Sequence, residues 1–172
     1  IKTVIKYAPI ALKEPENYEA RANLMWASTW ALNGFLTTGP DQAHSCHAME
    51  HELSALYDVP HGAGLAVVFP AWMTYMIEHG GVNRLAQLAV RVWGCQMDFE
   101  NPENTARAGI EALKRFLKSI GMPINFAELG AKEEDIEEMA HKACYGNEGS
   151  GTIGGFVKLN KEDVINIYRL ML

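Results

Sequence analysis

Cysteine is scarce in this chain, and the three present, Cys46, Cys95 and Cys144, form an odd, widely spaced set with no C-x-x-C pair. A disulfide framework and a cysteine zinc site are both disfavoured, and a reducing cytoplasm fits. Basic clusters are also missing. With 15 Lys and Arg against 21 Asp and Glu, the net charge of -6 is spread along the chain, so a polyanion such as nucleic acid has no patch to hold. The uncharged, strongly apolar run Gly62 to Ile77 contains Pro70 and falls short of the roughly 18 to 20 apolar residues of a membrane span. The glycine-rich stretch GNEGSGTIGG lacks G-x-x-x-x-G-K-[ST] and has no strand-turn-helix around it, so it reads as a surface loop and not as a phosphate cradle. The opening IKTVIKYAPIALKEP has no initiator Met and no signal-peptide order, so the sequence is expected to begin inside a longer protein.

What is present is helical periodicity. The composition, 48% hydrophobic against 21% charged over 172 residues, suits one globular domain. After Pro15, Tyr18, Ala22, Met25, Trp26 and Trp30 recur at helical spacing up to Gly34, which predicts a helix over about 15–33. Asp41 is placed to cap a second helix that carries His47, His51, Leu53 and Leu56 and stops at Asp58-Val59-Pro60. The next segment, AGLAVVFPAWMTYMIEHGG, is apolar nearly all round, as expected of a buried central helix kinked or begun afresh at Pro70. Further helices are predicted over 82–93, with Gly94 as the stop, over about 105–120, over 132–143, and after an Asn160 cap in KEDVINIYRLML. The expected fold is therefore all-α, a single domain over 1–172 of seven or eight helices.

Three histidines, His47, His51 and His61, fall in this otherwise apolar setting. His47 and His51 are four apart, which places them on one helix face about 6 Å apart along the axis. His61 follows the Pro60 break and can fold back toward His47. Neutral imidazole is a common ligand of zinc, iron and similar ions, so the set is a candidate metal site, against the plainer reading of three separately satisfied histidines. His44 is expected to be exposed on the first turn, and His79 and His141 to serve helix ends. The same stretch also spells H-x-x-E-H, which would make His47 and His51 zinc ligands and Glu50 the general base of a peptidase. Position 55 is Ala, so H-E-x-x-H fails at His51. Cys46 beside His47 spells a nucleophile pair, although neighbours in a helix point in different directions.

The longer stretch HAMEHELSALYDVPHGAGLAVVFPAWM resembles the metal-binding signature of the iron-containing alcohol dehydrogenases. ALKEPENYEARANLMWASTWALNG resembles the preceding helix of their butanol dehydrogenase branch, and the similarity runs on to FVKLNKEDVINIYRLML. The resemblance implies that His47 and His61 are metal ligands, and that His51 stands beside the nicotinamide end of the cofactor and helps relay a proton. An aspartate and a histidine four apart on an earlier helix would complete the metal site, before residue 1. The dinucleotide-binding domain would lie there too. On that reading the chain is the carboxy-terminal helical domain of an NAD- or NADP-dependent enzyme that uses a divalent metal, iron or zinc, on a small alcohol or aldehyde. The complete enzyme is expected to be a homo-oligomer, and the chain alone to be inactive. The alternatives are an H-x-x-E-H zinc peptidase and a non-catalytic helical binding module.

Overall fold

The computed structural model describes residues 1–37, 44–146, 149–155 and 157–172. Helices α1 (Lys2–Lys13) and α2 (Tyr18–Leu32) form a hairpin, with the Asn17 side chain accepting from the Ala20 amide as the cap of α2. A 3₁₀ turn, Phe35–Thr37, follows. Helix α3 (Ser45–Tyr57) and helix α4 (His61–Met76) make the centre, and five wide-turn residues, Ile77–Gly81, lead into α5 (Val82–Leu88). A second wide turn, Ala89–Trp93, ends at Gly94, whose φ of 71° is the left-handed stop that the sequence predicts.

Helix α6 (Pro102–Ser119) packs back on α5. The short α7 (Phe126–Leu129) and α8 (Ile136–Tyr145) come next. A two-residue antiparallel pair, β1 (Thr152–Ile153) on β2 (Leu159–Asn160), then aligns Thr152 with Asn160 and Ile153 with Leu159. Helix α9 (Lys161–Arg169) closes the chain under a full capping box: the Asn160 side chain takes the Asp163 amide, and Asp163 takes the Asn160 amide.

The all-α expectation holds, with nine α-helices among the described residues instead of seven or eight. The extra two are α1, whose internal Pro9 masks its periodicity, and the four-residue α7. Asp41, expected as a cap, lies outside the described residues. Helix α4 does not begin afresh at Pro70 but runs through it, and the break comes later, where His79 (φ -117°, ψ 36°) and Gly80 (φ 85°) leave helical geometry. Pro70 is itself buried, and Val67, Val68 and Ala71 beside it lie in the core, so the packing offsets the lost backbone hydrogen bond.

The core gathers Met49 and Leu53 from α3, Val67 and Val68 from α4, Phe126, Met139 from α8, and Ile167 and Tyr168 from α9. Met25 and Trp26, two of the residues at helical spacing on α2, are 70% and 63% exposed. The reason is that α2 carries apolar residues round most of its circumference while its main packing partner is the single helix α1, so only Ala20 is buried on it. No described helix is long and apolar enough to cross a membrane.

Candidate metal centre

The site forms where α3 turns into α4. Residues Cys46, Met49, Glu50 and Leu53 recur at the spacing of one helix stripe, and all four are buried. His47 and His51 sit one position after Cys46 and Glu50, so they turn toward the edge of that stripe: His47 is half-buried and His51 exposed. At the end of α3, Asp58 takes left-handed geometry (φ 51°) as its C-cap. Pro60 then stands at the N-cap of α4, and the amides of Ala63 and Gly64 bond to its carbonyl at 2.8 and 3.1 Å. This tight reversal brings His61, the first residue of α4, back over the α3 histidines.

The three sequence-predicted residues do converge. The His61 ring centre lies 5.3 Å from that of His47 and 5.5 Å from that of His51, and His47 and His51 are 6.5 Å apart. His44 is exposed, as expected, with its ring 5.5 Å from His47. Burial first, then the nearby imidazoles of His61, His44 and His51, hold His47 below the ordinary imidazole range against the opposing pull of Glu50. A lowered value favours neutral imidazole, the form with a free lone pair for an ion. His79 and His141 stay apart from the site: His79 bonds the Tyr75 carbonyl at 2.7 Å and stacks on the Tyr75 ring, and His141 stacks on Tyr145.

Glu50 is the residue that the sequence reading left to the peptidase alternative. It is 0% exposed, its Oε2 meets His61 Nδ1, and its Oε1 receives the Ser54 hydroxyl. Its signal was available: it is a charged residue at a core position of the α3 stripe. Ligand atoms of Glu50, His51 and His61 come within 4.8 Å of one another, which makes Glu50 a possible ligand by distance alone. Both of its oxygens are already engaged, with His61 and Ser54, which leaves the ring nitrogens as the candidate donors, although His47 is not among the three residues whose ligand atoms meet that distance. The same burial rules out Glu50 as a base acting on a water in an open cleft. Cys46 is equally unsuited to nucleophilic work, because burial pushes its thiol up to about 12.

The donor set fits a divalent ion of borderline character. It supplies ring nitrogens from His47 and His61, the latter oriented by the Glu50 carboxyl group, and both His51 and His61 are exposed.

Comparison with known proteins gives the family of the chain. The family model for the C-terminal part of the Fe-containing alcohol dehydrogenases matches residues 1–172. The NADH-dependent butanol dehydrogenase A of Clostridium acetobutylicum is 41% identical over 169 residues, 98% of this chain and 43% of that protein. The probable NADH-dependent butanol dehydrogenase 1 of Bacillus subtilis is 38% identical over all of this chain and 43% of its own length. The crystal structure of NADH-dependent butanol dehydrogenase A from Thermotoga maritima superposes with a TM-score of 0.91 at 37% identity, over 99% of this chain and 44% of that one. The chain thus spans less than half the length of the relatives it matches, and across that span it belongs to the Fe-containing alcohol dehydrogenase family, as its C-terminal part.

Proposed function

We propose that this chain is the metal- and substrate-binding part of a metal-dependent, NAD(P)H-linked alcohol dehydrogenase that interconverts primary, butanol-like alcohols and their aldehydes. One observation carries the reading: His47, His51 and His61, separated by a helix break, meet at one half-open site in a chain of this family. His47 and His61 would hold the ion, with the remaining ligands, an aspartate and a histidine, supplied by a part of the enzyme outside this chain. When bound, the ion supplies Lewis acidity toward the substrate oxygen, and NAD or NADP in the complete enzyme supplies the hydride chemistry.

The chain's own residues do the rest. His61 is locked in direction by Glu50, so one ring nitrogen always faces the site. His51, exposed at the mouth, is placed to pass a proton between its ring nitrogen and solvent next to the substrate and the nicotinamide end of the cofactor.

The peptidase reading needs Glu50 open to water, and its complete burial speaks against it. In the complete enzyme, His61→Ala should lower bound metal and alcohol oxidation by orders of magnitude. Peptide cleavage abolished by Glu50→Gln would instead establish the rival. A non-catalytic binding module would show no turnover for either change to alter.

A further inference from the structure

We infer that Glu50 is a positioning residue for the metal ligand His61, held in place by Ser54 and given its room by Gly64. The inference rests on the metal-site reading above and deepens it. A carboxyl group is costly to bury without partners, and Glu50 lies on a stripe whose other members are Cys46, Met49 and Leu53. It is retained there with both oxygens occupied, one by the His61 Nδ1 and the other by the Ser54 hydroxyl one turn along α3. The Ser54 oxygen also stands 3.2 Å from the Val59 carbonyl, which ties the pair to the turn that delivers His61.

The opposite wall is built for this contact. Gly64, one turn into α4 after His61, is buried, and a Cβ there would come 2.7 Å from Glu50 Cγ and closer still to Oε1. Any side chain at 64 would therefore evict the carboxyl group. A carboxylate can only accept, so this contact would keep the His61 proton on Nδ1 and leave Nε2 as the lone-pair nitrogen of a ring that stands 5.3 and 5.5 Å from those of His47 and His51. Fixing that tautomer and orientation is what an outer carboxylate does for a ligating imidazole, together with raising its basicity.

The test uses the complete enzyme, first free of metal. Long-range ¹H–¹⁵N spectra should show His61 as the Nδ1–H tautomer, and a predominantly Nε2–H form in the unaltered protein would overturn the proposal with no variant needed. Zinc affinity by competition with a chromophoric chelator should fall about 10- to 100-fold in Glu50→Ala. It should be largely restored in Glu50→Gln, whose amide oxygen can still accept from Nδ1–H. Gly64→Ala should resemble Glu50→Ala with the carboxyl group still present, and circular dichroism of each variant separates this from loss of the fold. If Glu50→Gln lost as much zinc affinity as His61→Ala, Glu50 would be a direct ligand and the proposal would fall. An unchanged tautomer and affinity in Glu50→Ala would reduce it to a packing residue. These readouts do not need alcohol turnover, so a protein without dehydrogenase activity could still show the expected tautomer and affinities, while a working dehydrogenase indifferent to Glu50→Ala would sink this inference alone.

Discussion

The Tyr168 hydroxyl donates to the Met49 carbonyl at 2.7 Å, joining the last helix to the histidine-bearing one at the residue just before Glu50. Tyr168 is completely buried, so the bond is made without competition from water. Tyr168→Phe keeps the ring and removes the donor. It should cost about 1 kcal/mol, the net worth of one such hydrogen bond, read as a lower denaturant midpoint with an unchanged slope. An unaltered midpoint would mean that the ring alone holds α9 to α3.

Two tyrosines set the alkaline limit of the fold. Burial raises Tyr168 well above the ordinary phenol range, and burial together with the Asp163 carboxylate, 2.6 Å from its hydroxyl, raises Tyr75 to about 12. Both are held neutral in the folded chain but ionise near pH 10 once unfolded. Their contribution is therefore complete below pH 10 and lost as the pH rises through the folded values. Absorbance at 295 nm should show these two rings ionising only as the helical signal is lost.

Thiol reactivity should sort by burial. Cys46 and Cys144 are buried with raised values, whereas Cys95 is half-exposed. Iodoacetamide at pH 8 followed by peptide mass mapping should find Cys95 alkylated first and Cys46 protected until denaturant is added. Early labelling of Cys46 would mean that α3 opens readily.

The Asn160 capping box is a separate stability test. Asn160→Ala should destabilise by about 1 kcal/mol, within a usual range of about 0.5 to 2, and fray the start of α9. Hydrogen exchange at the amides of Glu162 and Asp163, which Asn160 now accepts, should quicken most.

The 172-residue chain on its own should bind metal weakly and turn over no alcohol. His47 and His61 offer two ring nitrogens and no negative charge to the ion, so binding depends on ligands from elsewhere. Calorimetry with zinc or ferrous iron is expected to find dissociation constants above micromolar. Stoichiometric binding tighter than that would show that this chain holds more of the site than two histidines.

Much of this was legible in the sequence because it was local. The four-residue spacing of His47 and His51, the Pro60 break before His61, the Gly94 stop and the Asn160 cap each depend on neighbours within a turn or two. What was not legible depended on packing across elements. Glu50 entered only as the general base of the rival peptidase motif, and the meeting of α3 with Gly64 on α4 is what reveals a buried carboxyl group aimed at His61. Trp26 and Met25 stand at helical spacing among apolar residues, yet burial needs an opposing surface, and the single helix α1 covers only Ala20 of α2. Pro70 read as a break, but a proline lodged among buried neighbours can be carried through a helix.

The α1–α2 hairpin buries a single residue, Ala20, between its two helices, while α3, α4, α8 and α9 share one continuous interior. In the 172-residue chain the polypeptide therefore has two unequal clocks. Opening the hairpin gives up little hidden apolar surface, so its amides can exchange with deuterium through brief local excursions that leave the histidines untouched. The amides of α3 and α9 can exchange only when the whole interior is given up. A protease would meet the same asymmetry, nicking the loop at Glu14 to Asn17 long before it reached the turn at Asp58, and the histidine corner would outlast the arm that precedes it.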